Sequence, residues 1–193
     1  MWSVATDGAG KIEPIGHQSG GYPTGTSADG RTLYYRFETD VVQTDIRQLA
    51  LDSPEAQPTS LLATPAVESA AVPSPDGRWL AYSTEASGRE EVRVLDLADR
   101  TASTQVSANG GRPVRWNAAS TQLYYEDGDA IGVIDVGRAG PVPASRRVAF
   151  RLPPDRHGPP EVTPDGARAL VIRGGPIYQD LVVIEGALPR ARQ

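Results

Sequence analysis

Ser74-Pro75-Asp76-Gly77-Arg78-Trp79-Leu80-Ala81-Tyr82 organises the whole chain, because the same phrase comes round four times. It returns as Ser27-Ala-Asp-Gly-Arg-Thr-Leu-Tyr-Tyr35, as Asn117-Ala-Ala-Ser-Thr-Gln-Leu-Tyr-Tyr125 and as Thr163-Pro-Asp-Gly-Ala-Arg-Ala-Leu-Val171. Successive starts lie 47, 43 and 46 residues apart. Asp29-Gly30, Asp76-Gly77 and Asp165-Gly166 tolerate positive φ and so can close a tight hairpin between two strands. After each turn the apolar residues alternate: Leu33, Tyr35 and Phe37, then Leu80 and Tyr82, Leu123 and Tyr125, Ala169 and Val171. Period-2 alternation is the mark of a strand, and it predicts that every second residue packs against the next repeat.

Working outward, a third strand is predicted after each hairpin, over Asp45–Leu51, Glu91–Leu97, Ala130–Val136 and Asp180–Glu185. A fourth, edge strand is predicted over Thr59–Ala63, Ser103–Ser107 and Arg147–Leu152. Trp2–Thr6 and Lys11–Ile15 read as a third and a fourth strand, so the chain enters in mid-repeat. Four short strands repeated every ~40–45 residues describe a β-propeller blade. The expected fold is therefore all-β, with blades of four antiparallel strands, about four of them, in one partial or small propeller domain over 1–193. Gly137–Ser145 and Pro153–Pro160 are expected as rigid loops, because their prolines cannot sit in a central strand.

The phrase Ser74–Tyr82 resembles the signature of the WD40-like, or PD40, repeats of TolB-like β-propellers. Gln105-Val-Ser-Ala-Asn-Gly-Gly-Arg-Pro-Val-Arg-Trp116 resembles the blade junction of propellers appended to bacterial serine/threonine protein kinases. The resemblance runs through nearly the whole chain and departs from the pattern at Ala119-Ser120, which replaces Asp-Gly. It implies a protein-interaction platform, a sensor domain, or the gating part of a prolyl-oligopeptidase-type peptidase. It brings no catalytic residues with it, since the motif is structural.

Composition narrows the classes. The 193 residues are 39% hydrophobic and 22% charged, the profile of a globular protein. A chain of this size buries roughly 70% of its unfolded surface, so it needs no staple to fold. Without cysteine it has no disulfides, thiolate metal sites or cysteine nucleophile. A net charge of −5 with no basic stripe argues against nucleic acid as partner. No apolar run approaches the ~20 residues of a membrane helix, and Met1–Gly10 lacks the pattern of a signal peptide. The compartment stays open, periplasmic if the chain belongs to a longer exported or membrane-anchored protein.

Blade counting leaves three closures. Lys11–Ile15 completes the last blade of its own chain, or that of a second copy in a homodimeric ring, or the chain belongs to a longer propeller. The third is the expectation taken, with the homodimer as the alternative.

Few residues suggest chemistry. His17 and His157 fall in Gly/Pro-rich loops, and no Gly-x-Ser-x-Gly elbow accompanies them. Glu126, Asp127 and Asp129 sit where a hairpin turn is expected, without the pattern of a calcium loop. Gly8-Ala-Gly-Lys11 lacks the spacing of a phosphate loop. No catalytic residue, cofactor or metal is assigned. The candidate binding residues are Arg112 and Arg115, which flank an inner strand and suit an acidic peptide, together with Trp116 and His157. The leading reading is a non-enzymatic scaffold or sensor that binds protein or peptide within a larger bacterial signalling protein. The alternative is the gating propeller of a serine peptidase whose catalytic domain is absent, which a downstream α/β-hydrolase coding region would reveal.

Overall fold

A computed structural model describes residues 2–4, 12–14, 21–39, 43–53, 55–175 and 178–185. Eighteen strands run through them, and every strand pairing is antiparallel. β1 (Trp2–Val4) and β2 (Ile12–Pro14) form a pair of their own. Blade 1 consists of β3 (Tyr22–Thr26), β4 (Thr32–Glu38), β5 (Thr44–Ala50) and β6 (Thr59–Leu62). Blade 2 follows as β7 (Glu68–Pro73), β8 (Trp79–Thr84), β9 (Glu91–Asp96) and β10 (Ser103–Gln105). Blade 3 contains β11 (Pro113–Trp116), β12 (Gln122–Asp127) and β13 (Ala130–Gly137). The far edge of β13 carries both the short β14 (Gly140–Pro141) and the full fourth strand β15 (Arg147–Arg151). Among the described residues blade 4 has three strands, β16 (Arg156–Val162), β17 (Arg168–Gly175) and β18 (Tyr178–Glu185).

The cores lie between blades. Leu80 and Tyr82 pack with Tyr34 and Ile46 of blade 1, whereas Trp79 and Ala81 pack with Leu123, Tyr125 and Trp116 of blade 3. Tyr124 joins Ala169 and Val171 between blades 3 and 4. The alternating set named in the sequence thus faces the preceding blade, not the next one, and the intervening residues face the following blade. A second strand wedged between two blades is buried on both sides, and all six residues of β8 are.

The repeated phrase builds a loop wider than a two-residue hairpin. In blade 2, Ser74 N donates to Trp79 O at 2.8 Å and Trp79 N donates to Ser74 Oγ at 2.9 Å. Ser74 Oγ donates in turn to Asp76 Oδ1, which also accepts Arg78 N at 3.1 Å. Gly77 takes the positive φ, 72°, that closes the loop. Blades 1 and 4 repeat these bonds through Ser27 with Asp29 and Thr163 with Asp165. Blade 3 reaches the same loop by another route. Asn117 Oδ1 alone accepts Thr121 N at 2.8 Å and Gln122 N at 3.0 Å, and Ser120 adopts φ 58° where the others have glycine.

The first strands β3, β7, β11 and β16 lie beside one another in neighbouring blades, which makes them the innermost. Each carries a register shift against its second strand. Such bulges sharpen the local twist, as strands converging on an axis require. They also correct the reading of 153–160. Pro159 and Pro160 lie in β16 between the paired residues His157 and Glu161, where the ladder is broken and a missing N–H costs nothing. Gly137–Ser145 likewise contains the end of β13, then β14 and a 3-10 turn over Pro143–Ser145.

Candidate binding surfaces

Arg115 lies on β11, and Arg112 immediately precedes that strand. Neither is a free cation. Arg112 Nε donates to Glu90 Oε2 at 2.7 Å, tying blade 3 to blade 2, and this bond holds its guanidinium more firmly protonated than usual. Arg115 donates to Glu161 Oε1 at 2.7 Å, and Arg156 donates to Glu126 Oε2 at 3.0 Å, tying blade 3 to blade 4. The charges on and beside the inner strands are therefore already neutralised by partners in the neighbouring blade, which fastens blades together. An acidic ligand there has to displace a carboxylate first.

Trp116 is 3% exposed and packs among Trp79, Leu123 and Tyr125. Its indole N–H donates to Val72 O of blade 2 at 2.9 Å, which satisfies the one polar group that burial strands. It is a blade-to-blade anchor with no surface to offer a ligand. His157 stands in β16, not in a loop, where its ring Nε2 contacts Gly174 O. His17 lies outside the described residues. Glu126 and Asp127 end β12 and Gly128-Asp129 make its turn into β13, with Asp129 paired to Arg151 at 3.2 Å. Among the described residues no group of three metal-ligating side chains gathers.

Blade 4 departs from the other three. Four residues after the loop glycine or its equivalent, Tyr34, Ala81, Tyr124 and Leu170 hold matching places on the second strand. Two residues further on, the third strand answers with Ile46, Val92, Ile131 and Leu181. Ile46, Val92 and Ile131 are 0% exposed, whereas Leu181 is 71% exposed. The next residue on that face shows the same contrast, since Val94 and Val133 are buried and Val183 is 50% exposed. The following blade explains the difference: Ile46 packs with Leu80 and Tyr82 of blade 2, Val92 with Trp116 and Leu123 of blade 3, and Ile131 with Val162 and Ala169 of blade 4, whereas no blade follows β18 among the described residues. The fourth strands add flanking neighbours. Leu62 lies opposite Ile46, and Phe150 lies opposite Ile131. Among the described residues no strand pairs with the outer edge of β18. Sequence reasoning located β18 but not its exposure, which depends on the absence of neighbours.

Fold and surfaces together define an arc of β-propeller blades. No protein-family profile matches the chain, and no curated protein matches it. Solved structures do. TolB from Acinetobacter baumannii is similar at 13% identity and TM-score 0.65, over 93% of this chain and 44% of that one. A putative TolB from Agrobacterium tumefaciens is similar at 19% identity and TM-score 0.58, over 91% of this chain and 61% of that one. A puromycin-hydrolysing peptidase from Mycobacterium tuberculosis is similar at 17% identity and TM-score 0.63, over 92% and 29%. The chain thus spans less than two thirds of each of these proteins, and the likeness is one of fold.

Proposed function

We propose that this chain is a non-enzymatic propeller module that binds a protein or peptide, and that blade 4 is where it does so. An extended segment of the partner adds to the outer edge of β18 as a fourth strand. The observation that carries this reading is the outer edge of β18, with which no strand pairs among the described residues, whereas β5, β9 and β13 each carry a fourth strand. Main-chain hydrogen bonds along the eight residues of β18 supply affinity, and side chains at alternate positions supply selection. The blades specify the chemistry. The segment places an apolar side chain opposite Leu181, as Leu62 and Phe150 stand opposite Ile46 and Ile131. A flanking apolar side chain covers part of Leu181 and Val183, which are 71% and 50% exposed. Such a module suits the sensing or scaffolding end of a larger bacterial signalling protein. A second copy of the chain is a competing occupant of the same edge.

Fluorescence anisotropy with a labelled peptide of sequence Arg-Val-Ala-Phe-Arg-Leu, the chain's own 147–152, tests the reading. Saturable binding is expected, weakened about tenfold or more by Leu181→Glu, since 1.4 kcal/mol is a factor of ten. Because peptidases carry the same fold, turnover is followed in parallel. Binding that ignores Leu181→Glu removes blade 4 as the site. Hydrolysis of peptide or ester substrates that His157→Ala abolishes overturns the non-enzymatic reading.

A further inference from the structure

A second surface, remote from β18, carries unspent chemistry. Between blades 1 and 2, on the side of the repeated loops, an open groove of about 470 Å³ is lined by Thr32, Tyr34, Gln48, Thr59, Arg78 and Arg100, with small and apolar residues between them. Its volume falls within the ~300–1,000 Å³ of ordinary small-molecule sites. In a protein of net charge −5, no carboxylate lines it.

The carboxylates nearby are already engaged. Asp96 accepts Ala98 N at 2.9 Å through Oδ1 and Arg78 at 3.4 Å through Oδ2. Asp29 accepts from Ser27 Oγ and Arg31 N, and Asp99 from Thr101 Oγ1. The groove itself offers donors. Arg78 is laid over the Trp79 ring, 4.5 Å from its centroid, so stacking fixes its guanidinium plane.

Arg100 is the least neutralised of these groups. Its Nε donates to Leu97 O at 3.1 Å, and its two terminal amines have no partner among the described residues. Its backbone is held at φ 59°, where its N–H donates to Asp96 O at 2.7 Å in the turn between β9 and β10. A long side chain seldom takes a left-handed position that glycine or asparagine fills more easily, and such outliers cluster at ligand clamps. Tyr34 faces the same space. Its ring is buried, its hydroxyl makes no hydrogen bond among the described residues, and Arg100 is close enough to act on it electrostatically. Arg100 thus supplies charge-assisted donors and Tyr34 a neutral one.

We propose that this groove binds a small organic molecule through an oxyanion headgroup, carboxylate or phosphate. The headgroup sits against the free amines of Arg100 and the Tyr34 hydroxyl, while Thr32, Gln48, Thr59 and Arg78 contact the remainder. The site is independent of the strand-pairing edge of blade 4.

The test uses the whole chain, with succinate and glycerol phosphate as probes at constant ionic strength, read by the Nε–Hε resonances of arginine. Saturable shifts at Arg100 are expected with at least one probe. Succinate alone marks the headgroup as carboxylate, and glycerol phosphate alone marks it as phosphate. Arg100→Gln and Tyr34→Phe each weaken binding, the first about tenfold, while thermal melts show the fold retained. Arg31→Gln, an exposed arginine on the loop of blade 1 outside the groove, leaves affinity unchanged. Shifts that never saturate, or an equal loss in Arg31→Gln, reduce the effect to ionic screening and overturn the proposal. So does the absence of shifts with both probes.

Discussion

Glu68 is the side chain whose charge the fold tolerates least. It is 1% exposed on the innermost strand of blade 2, where Oε1 accepts from the Thr64 hydroxyl and Oε2 has no partner. Burial pushes its carboxyl above the usual 4.5, the Thr64 bonds pull it back, and the charge of Asp45 raises it further. Asp45 is itself buried with one orphaned oxygen. The unfolded chain releases this proton near 4.5, and the folded chain only at higher pH. Stability is therefore lost as pH rises from 4.5 through the folded value, and the loss persists above it. Glu68→Gln keeps an acceptor for Thr64 and removes the ionisation. We expect it to raise stability by about 1 kcal/mol at pH 8, some 2–4 °C in melting temperature, with the gain vanishing below pH 4.5. Asp29 and Asp165 behave oppositely. Hydrogen bonds from Ser27 and Thr163 hold their carboxyls low, so their contribution is complete above 3.8 and is lost as pH falls through the folded values. Melting curves of wild type and Glu68→Gln across pH separate the two trends. An equal gain at pH 4 and pH 8 excludes ionisation of Glu68 as the cause.

At the scale of the element, the loop that opens each second strand shows how two chemistries reach one geometry. Three blades use a hydroxyl and an aspartate in relay, and blade 3 uses the amide of Asn117. Asn117→Ala leaves Thr121 N and Gln122 N without their acceptor, and we expect it to cost about 1–3 kcal/mol, read as a lower denaturant midpoint. Asn117→Ser alone restores little, because Ala119 supplies no carboxylate. Adding Ala119→Asp rebuilds the hydroxyl–carboxylate relay of blade 2, leaves the Ser120 hydroxyl to accept Asp76 N at 3.0 Å, and recovers most of the loss. If the double variant is no more stable than Asn117→Ser, the relay is not what holds the loop. Much of this level was legible in the sequence: the alternation after each turn places β4, β8, β12 and β17, and the second apolar runs place β5, β9, β13 and β18. The loops hid their bonds, because Asp-Gly advertises a positive φ and says nothing of the serine two residues before the aspartate. The inner strands hid their bulges and the residence of His157 in β16, since Pro-rich segments read as loops until a broken ladder accommodates them. The candidate site was less legible still. Arg112, Arg115 and Trp116 carry binding chemistry as residue types, but Glu90, Glu161 and Val72, all distant in sequence, occupy them.

For the molecule as a whole, the unresolved competition is for the edge of β18. Native sheets blunt such edges or cover them, and three blades here cover theirs. When no partner is present, a second copy has the means to fill the place. Two β18 strands running antiparallel about a twofold axis through Val182 bring Leu181 of one opposite Val183 of the other, so both exposed residues find an apolar neighbour on the same face. The union turns two three-stranded blades into one six-stranded sheet and uses the same patch on both copies, as a closed twofold contact must. The prediction is concentration-dependent mass in light scattering, rising from the 20.5 kDa of one chain toward twice that value. Leu181→Lys places like charges near the axis and holds the chain monomeric. The Arg-Val-Ala-Phe-Arg-Leu peptide, competing for the same edge, lowers the mass of the wild type in proportion to its occupancy. A wild type that stays at the single-chain mass throughout leaves the edge to a foreign strand. A dimer indifferent to both Leu181→Lys and the peptide places the contact elsewhere and separates self-association from the peptide binding proposed for blade 4.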